Sequence, residues 1–361
     1  MNIVNRYLFI LTTKKILGSL VLVSSLFFLI EFINQSGHIG TKNFTTSTSA
    51  LFALYKIPEI ILKVFHIGAL LGVIFTISYL KKDSEIVNLY NGGISRVKFS
   101  KLIIFSSFFS FFVLISLSDT LAPYFTERAE IMKSQALGNY SLNEKGDGFW
   151  LKRGRDFLYI EENLDGRNFR NVSSFEISET GDSLLSYKKS NEARVKNETV
   201  NFLDPIYLKF VTEDNLYNIK SFQNEDFLSK FVLTPEQIEQ VGKAPESISL
   251  FNLIKQIKFQ VENNNSIDIF LKEILVRLAS PLEFLALLLI SISVMLKFSR
   301  GSSLSREVFL GFLLGIVSQF LLDFFRMLLG HYSENPLLFS LLPSFLFLFV
   351  GILVFSKALK Y

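Results

Sequence analysis

Eight charged residues lie inside stretches of sequence that are otherwise apolar. A charge within a lipid bilayer is expensive to bury, so each needs a counter-charge, a hydrogen-bond partner or water. One interpretation is that many of these side chains merely reach the nearer membrane interface. The functional alternatives are a hydrated cavity that opens outward and accepts an amphiphile, or an enzyme whose Asp and Glu act as acid and base. The spacing singles out no catalytic pair. The eight residues are Glu31, Lys63, His66, Asp119, Arg277, Glu283, Asp323 and Arg326.

Sequence motifs for other chemistry are missing. The chain contains no GxxxxGK(S/T) phosphate-binding loop and no HExxH motif. Its three histidines, His38, His66 and His331, stand in different segments, which argues against a histidine metal site. Because the sequence has no cysteine, disulfides and thiolate ligands are excluded. These absences argue against a nucleotide-binding loop and against a metal site built from histidine or cysteine, and we expect no cofactor or metal ion in this chain.

The apolar stretches predict an integral membrane protein. Of the 361 residues, 49% are hydrophobic and 39 are phenylalanine. Several apolar runs approach the ~20 residues needed to cross the hydrocarbon layer of a bilayer. Six such runs are predicted spans, three before and three after a long polar insert. They cover about Ile16 to Ile33, Ile57 to Leu80, Leu102 to Leu121, Ile274 to Leu296, Val308 to Leu329 and Leu337 to Phe355.

Positive charges between the spans predict the orientation of the chain. Lys and Arg accumulate in the short cytoplasmic connections of membrane proteins. One side holds thirteen such residues, among them Lys81, Lys82 and Arg96, whereas the short loops of the other side offer only Lys42 and Lys56. We therefore expect both termini in the cytoplasm and the polar insert on the outer side.

The connection after the second span predicts a small helical foot on the cytoplasmic membrane surface. The apolar run stops at a pair of lysines, and a short segment from Ser84 to Tyr90 follows, in which apolar residues accompany Glu85. Gly92 and Gly93 end this segment, because glycine takes the left-handed conformations that close a helix. A soluble protein could grip such a foot. The alternative is an ordinary connecting loop that happens to be helical.

The polar insert, from about Tyr124 to Phe270, has the size of one domain. Short runs of β-branched and aromatic residues, broken by Gly, Asn and Asp, are typical of an all-β sandwich or jelly roll. Apolar residues at helical spacing predict a connecting helix from Ser249 to Glu262, with Ser249 as its cap. An open sheet edge could bind another sandwich by strand addition. The strand-like runs are Gly148–Glu161, Phe169–Ile177, Leu184–Val195 and Ile206–Phe222.

The predicted fold class is a membrane α-helical protein with six transmembrane helices and an inserted all-β jelly-roll domain. Residues 1–123 would hold the first three helices, with the foot at about 84–91. Residues 124–270 would hold the β domain and its connecting helix, and residues 271–361 the last three helices.

A series of short motifs runs along nearly the whole chain. They are Ala69-Leu70-Leu71-Gly72, Ser84-Glu85-Ile86-Val87, Gly93 with Arg96, Ala122-Pro123, Gly148-Phe149-Trp150, Phe157 to Glu161, Ser280-Pro281-Leu282 and Leu341-Leu342-Pro343-Ser344. Each motif alone is weak, but their order and spacing are fairly specific. In this order the chain resembles the lipopolysaccharide export permeases of the LptF/LptG family, and the LptG branch more closely.

The resemblance implies a permease subunit of an ATP-binding-cassette exporter that has no catalysis of its own. In that family one LptF and one LptG work with two LptB ATPase subunits, which would bind the ATP and magnesium. The complex extracts lipopolysaccharide from the outer leaflet of the inner membrane and passes it to LptC-like and LptA-like proteins through abutting jelly rolls. The resemblance therefore implies a multi-pass protein of the bacterial inner membrane, with a periplasmic β domain and no nucleic acid partner.

The resemblance also assigns two groups of residues. The foot would be the coupling helix, held in a groove of the ATPase through Glu85, and closure of the ATPases would squeeze a lipid cavity. The coupling residues would be Ser84, Glu85, Ile86, Val87, Leu89, Gly93 and Arg96. The lipid-cavity residues would be Phe28, Glu31, Phe32, Asn34, Lys63, Phe65, Arg128, Lys133 and Asp323.

The chain departs from the family pattern at cationic positions. Glu31 and Glu59 stand where LptG-like sequences often have lysine, although Lys63 lies one turn after Glu59. Of two family arginines after the third span, one position is Glu130 and the other Lys133. Cations at these places would pair with lipid phosphates. The changes therefore affect the expected head-group contacts and leave the foot untouched.

Two other classes of function remain open from the sequence. A membrane-embedded lipid-modifying enzyme would use Asp119, Glu283 or Asp323 as acid or base, and would act on lipid without an ATPase. A structural scaffold that assembles envelope proteins would show no dependence on ATP.

Overall fold

The computed structural model describes residues 3–82, 84–137, 148–164, 167–179, 182–196, 199–213, 216–222, 227–232, 245–262, 266–297, 304–332 and 335–360. The helices are α1 (Ile3–Ser36), α2 (Thr46–Tyr55), α3 (Ile57–Lys82), α4 (Glu85–Asn91), α5 (Arg96–Ala136), α6 (Leu250–Glu262), α7 (Asp268–Lys297), α8 (Leu304–Tyr332) and α9 (Pro336–Lys360). The strands are β1 (Phe149–Arg153), β2 (Asp156–Asn163), β3 (Asn168–Ile177), β4 (Leu184–Lys196), β5 (Thr199–Leu203), β6 (Ile206–Glu213), β7 (Leu216–Phe222) and β8 (Phe227–Val232).

The chain divides into two compact units. The helical unit consists of Met1–Gly37, Ser49–Thr126 and Leu271–Tyr361, and the β unit of His38–Thr48 and Glu127–Phe270. Among the described residues, six helices are long and apolar enough to cross a membrane: α1, α3, α5, α7, α8 and α9. The predicted class, six membrane helices with an inserted β domain, is confirmed.

Two of the long helices exceed their predicted spans. α1 begins at Ile3 rather than near Ile16, and α5 continues to Ala136. The third span was expected to be closed by Asp119 and Pro123, whereas the helix continues through this proline, which lies inside α5. A proline removes one backbone hydrogen bond from a helix interior and costs about 3 kcal/mol. Ala122 and Ala129, on either side of it, are buried, so packing of the flanking turns offsets that cost.

Helix α2 was not predicted, although the sequence carries a start signal for it. The backbone N–H of Thr48 donates to the Thr45 hydroxyl oxygen at 3.3 Å, which caps the first turn. Phe52 and Ala53 bury one face of the helix. The helix is too short and too polar at its start to stand out as an apolar run.

Helices α1 and α3 approach each other closely at two glycines of α3. A side chain at Gly72 would come within 2.5 Å of the Ile16 Cα atom, and one at Gly68 within 2.5 Å of the Leu20 side chain. The Ser19 hydroxyl donates to the Gly68 carbonyl oxygen at 2.7 Å. Small residues four positions apart allow such close packing of membrane helices. We call this contact the glycine seam.

Aromatic rings form the centre of the helical unit. Phe65 of α3, Phe111 of α5 and Phe284 of α7 are all buried. The ring centroids of Phe111 and Phe284 are 5.0 Å apart, and Phe65 lies 5.4 Å from each of them. Such ring pairs contribute about 0.5–1.5 kcal/mol beyond the burial of their area. The three rings therefore join α3, α5 and α7.

The described strands of the β unit form one antiparallel sheet. Strands β1 to β4 follow one another as a meander. The second half of β4 then pairs with β5, and its first half with β6. β5 pairs further with β8, and β6 with β7. The sheet therefore divides into two branches along the same edge of β4.

The four predicted strand runs contain six of the described strands, whereas β5 and β8 were missed. The run Gly148–Glu161 holds both β1 and β2, which turn at Gly154 with φ +60°. The Asn252 N–H donates to the Ser249 hydroxyl at 3.4 Å, so the predicted cap of α6 is confirmed. The core of the sheet consists of Leu158, Ile160, Phe169, Val172, Ala193, Val200 and Phe202.

Candidate functional site

The predicted foot is a seven-residue helix, α4, held between two unusual backbone positions. Ser84 precedes it with φ 55°, and Gly93 follows it with φ +85°. The N–H groups of Gly92 and Gly93 donate to the carbonyl oxygens of Asn88 and Tyr90 at 2.9 Å and 3.0 Å. Glycine adopts a positive φ without steric cost, which accounts for the sharp end of the helix.

The apolar side of α4 is anchored in the core of the helical unit. Ile86 is buried at 7% exposure and belongs to the same cluster as Leu8 of α1, Leu80 of α3 and Phe99 of α5. The ring of Tyr90 packs edge-on against Phe99, with centroids 6.0 Å apart. The foot is therefore a helix fixed in the core of the helical unit.

Tyr90 is neutral over the physiological pH range. Burial raises the pKa of its phenol, and the nearby Arg96 partly opposes that effect. Within the described part of the chain its hydroxyl has no hydrogen-bond partner. Tyr90 therefore stabilises α4 through the packing of its ring and not through a charge.

The carboxylate of Glu85 accepts a hydrogen bond from the N-terminal part of α1. The Tyr7 hydroxyl donates to Glu85 Oε2 at 2.6 Å. Both side chains are partly exposed to solvent. This contact was not predicted, since residue 7 precedes the first predicted span and the two residues are 78 positions apart.

The structure brings the predicted coupling residues together in one continuous stretch. Ser84, Glu85, Ile86, Val87 and Leu89 lie on α4 or directly before it. Gly93 is in the turn that follows, and Arg96 is the first residue of α5, where its side chain is exposed. Val87 and Leu89 are half-buried against the core cluster. Ser84, Gly93 and Arg96 are exposed, and Glu85 is partly exposed.

Charged residues at membrane depth are paired across helices. Arg326 of α8 forms an ion pair with Glu283 of α7, with both side chains largely buried. The Ser344 hydroxyl of α9 donates to the same Glu283 oxygen. His66 of α3 lies 3.3 Å from the Ser280 hydroxyl through Nε2. Four helices thus meet at polar contacts inside the helical unit.

A second ion-pair group joins α5 to α7. Arg277 places Nη1 2.8 Å from Asp119 Oδ1 and Nε 2.7 Å from Glu273 Oε1. Its side chain and both carboxylates are less than a quarter exposed. Asp119 and Glu283, two of the three carboxylates considered for acid–base chemistry, are therefore engaged by arginines.

Glu59 forms the centre of a third group, at the start of α3. Its two carboxylate oxygens accept from Lys56 Nζ at 3.0 Å and from Lys63 Nζ at 2.7 Å. The Thr126 hydroxyl of α5 also donates to Glu59, at 3.0 Å. Lys63 remains 64% exposed, whereas Lys56 and Glu59 are less than one-fifth exposed.

The predicted lipid-cavity residues occupy several separate places. Phe28, Glu31, Phe32 and Asn34 lie on the last turns of α1, half-buried or exposed, and Gln35 donates to Glu31 at 2.8 Å. Arg128 and Lys133 lie near the end of α5, in the β unit. Lys63 belongs to the Glu59 group described above.

Two of the predicted lipid-cavity residues have contrasting positions. Asp323 of α8 is 60% exposed, lies 3.7 Å from Arg326 and accepts from Gln319 at 3.2 Å. Phe65, in contrast, has 0% exposure and packs among the central rings. A fully buried ring cannot line an open cavity. Phe65 is therefore a core residue of the helical unit in this structure and not a lipid-cavity residue.

The residues that sequence reasoning missed are mostly partners of residues it had named. Tyr7, Thr126 and Ser344 are uncharged, so a search for charges inside apolar runs passes over them. Glu273 was also overlooked, although its spacing of four from Arg277 is a signal for a pair on one helix. Over the described residues, no group of three His, Cys, Asp or Glu side chains is placed to hold a metal ion.

Comparison with known proteins covers almost the entire chain. It is 22% identical over 358 residues to lipopolysaccharide export system permease protein LptG of Escherichia coli K12, with 97% of each chain covered. It is 20% identical over 348 residues to LptG of Haemophilus influenzae, with 96% of each covered. The family "Lipopolysaccharide export system permease LptF/LptG" matches residues 6–357. The chain is a multi-pass membrane protein that belongs to the LptF/LptG permease family.

Proposed function

We propose that this chain is the LptG-like transmembrane permease subunit of an ATP-driven exporter in the bacterial inner membrane. The exporter extracts lipopolysaccharide and delivers it to a periplasmic bridge of jelly-roll domains. The observation that carries the proposal is α4: its apolar side is fixed in the core through Ile86, while the Glu85 carboxylate stays partly exposed. A surface helix of this kind, in a chain of this permease family, suits docking of a soluble motor subunit.

The proposed complex contains one LptF-like permease and two LptB-like ATPases, with LptC-like and LptA-like proteins as receivers of the lipid. ATP and magnesium are bound by the ATPases and not by this chain. Thirteen Lys and Arg in the short connections on the α4 side, against two on the other, support cytoplasmic termini and a periplasmic β unit. ATP-driven closure of the ATPases then pushes on α4.

Lipid enters between this subunit and its LptF-like partner, in a cavity formed by α1 and α8 of each. The apolar surfaces of α1 and α8 support this assignment, because Val21, Ile33, Phe309, Phe320 and Met327 are each more than 60% exposed. Exposed side chains of this type suit lipid tails or a partner helix in the membrane. Glu31 of α1 is partly exposed and Lys63 of α3 is 64% exposed, so both signs of charge are open to a lipid head group.

Copurification tests the proposal. The full chain, extracted with its native partners in mild detergent, should bring down a nucleotide-binding subunit and a second permease of this family. The lipid that copurifies should be lipopolysaccharide. Recovery of the chain without any nucleotide-binding subunit would contradict the proposal.

The rival enzyme hypothesis has lost support from the geometry. Asp119 and Glu283 are bound to arginines, and Asp323 lies 3.7 Å from one. Each of the three carboxylates therefore lies beside an arginine. Modification of lipid by the purified chain, without any ATPase, would restore the enzyme hypothesis.

A further inference from the structure

The first turns of α1 contact α4 on the side of the predicted docking carboxylate. We call residues Ile3–Lys15 of α1 the α1 arm. Leu8 of this arm has 0% exposure and shares its buried cluster with Ile86 of α4. Val4 and Leu11 pack against the same cluster. The arm and the foot therefore share one buried cluster, and the Tyr7–Glu85 hydrogen bond joins them directly.

The hydrogen bond between Tyr7 and Glu85 uses one oxygen of the carboxylate. Tyr7 donates to Oε2 at 2.6 Å, in the range of strong bonds to an ionised acceptor. Within the described part of the chain Oε1 has no partner. A cationic donor from a docking protein can therefore bind Oε1 while Tyr7 keeps Oε2, because a carboxylate accepts several hydrogen bonds.

Helix α1 connects this contact to the far side of the membrane. It runs without a break through 34 residues, from Ile3 to Ser36. At 1.5 Å per residue this is about 50 Å, enough to cross the bilayer. Phe28, Glu31 and Phe32, which the resemblance assigns to lipid, lie in its last turns. One rigid element therefore carries both the contact to Glu85 and predicted lipid contacts.

The glycine seam supplies a second connection between the foot and α1. Helix α3 packs against α1 at Gly68 and Gly72, and α3 ends at Lys82, just before Ser84 and α4. A push on α4 thus reaches α1 through α3 as well. The Tyr7 contact differs from the seam because it acts directly on the residue that faces the partner.

We propose that Tyr7 is a positioning residue that holds Glu85 for the ATPase, and that the α1 arm receives the displacement of α4 and passes it along α1 to the lipid side. This inference rests on the proposed function, since it requires an ATPase on the foot. It adds a direct path from the docking carboxylate to α1 that does not pass through α3.

Tyr7→Phe tests the inference, because it removes the hydroxyl and keeps the ring. The complete exporter is reconstituted in vesicles of phospholipid and lipopolysaccharide. Three quantities are measured: the amount of assembled complex, the rate of ATP hydrolysis and the lipopolysaccharide extracted per ATP. Loss of a hydrogen bond to a charged group should lower the extraction per ATP by about threefold or more, with assembly within about twofold.

Tyr79→Phe is the matched control. Tyr79 and Tyr7 are both 38% exposed. Tyr79 lies near the end of α3 that precedes α4, and Lys15 Nζ is 4.8 Å from the centroid of its ring. Its hydroxyl makes no contact with Glu85. This variant should extract as much lipid per ATP as the wild-type exporter.

The Glu85→Ala background separates positioning from general packing, because alanine has no oxygen to accept from Tyr7. If Tyr7 acts through the Glu85 side chain, Tyr7→Phe should have almost no further effect once Glu85 is alanine. An equal loss in both backgrounds, or no loss in the wild-type background, would overturn the inference while the proposed function stands. A wild-type chain that binds no ATPase would overturn both.

Discussion

Arg326 of α8 and Glu283 of α7 form an ion pair in the interior of the helical unit, where their side chains are only 11% and 5% exposed. Ser344 of α9 donates to the same carboxylate, so three helices share one polar centre. A buried ion pair need not stabilise a protein more than apolar residues would, but loss of one partner leaves a charge without compensation. The pair therefore fixes how α7, α8 and α9 fit together.

Glu283→Gln is expected to destabilise the helical unit by about 3–5 kcal/mol, because Arg326 keeps its charge in a buried place. Thermal unfolding of the full chain in one detergent measures the change. Asp323→Asn is the control, since Asp323 lies 3.7 Å from the same arginine but is 60% exposed. It should cost less than about 1 kcal/mol. Equal losses from the two substitutions would contradict a special role for the buried pair.

Gly72→Ala is expected to push α1 and α3 apart. The new Cβ atom would lie 2.5 Å from the Ile16 Cα atom, and a backbone cannot yield as the end of a side chain does. We expect a loss of about 1–3 kcal/mol, seen as a lower midpoint of thermal unfolding. Gly18→Ala, on α1 with nothing within 4 Å, should be neutral or slightly stabilising. A Gly72→Ala variant as stable as Gly18→Ala would show that the glycine seam is not closely packed.

In the Glu59 group, we expect substitution of Glu59 to lower the stability of the chain more than substitution of Lys63. Lys63→Ala removes a 64% exposed cation and should change stability by less than about 1 kcal/mol. Glu59→Ala removes the shared acceptor of Lys56, Lys63 and Thr126 and should cost more, about 1–3 kcal/mol. Unfolding midpoints of the two variants give the comparison. A larger fall in the unfolding midpoint from Lys63→Ala than from Glu59→Ala would contradict the role of Glu59 as the shared acceptor.

Phe202→Ala should destabilise the β unit by about 3–5 kcal/mol, because the ring is fully buried in the sheet core. Hydrogen exchange in the full chain should show faster exchange of the amides of β5, on which the residue lies. Leu185→Ala is the control, since Leu185 on β4 is 39% exposed. If the amides of β5 remained protected from exchange in Phe202→Ala, Phe202 would not be part of the core that stabilises the sheet.

The six membrane helices could be predicted because an apolar run of about 20 residues is long enough to cross a bilayer and is rare in soluble domains. The α1 arm could not, since Arg6 and the lysines at 14 and 15 interrupt its apolar residues. The continuation of α5 past Pro123 was missed for a related reason: a proline usually ends a helix, and only packing of the flanking turns shows that this one does not. β5 and β8 are short, and their alternation of apolar and polar residues does not stand out from the neighbouring sequence.

The foot was found from its sequence because local signals define it: a pair of lysines, a short apolar segment and two glycines. Its partner Tyr7 was not, since a contact across 78 positions has no local signal. The same holds for Arg326 and Glu283, which are 43 positions apart. Both were named as charges that need a partner, but only the folded structure shows that they pair with each other.

Exchange of the charge at Glu85 is the most direct test of the claim that α4 is where an ATPase acts on this chain. The exporter is assembled with wild-type chain, with Glu85→Arg and with Glu161→Arg, which makes the same change of charge at an exposed position of β2. Bound ATPase and extracted lipopolysaccharide are measured in the same preparations. We expect Glu85→Arg to lose the ATPase or its coupling to extraction, and Glu161→Arg to keep both. Normal assembly and extraction with Glu85→Arg would contradict the account.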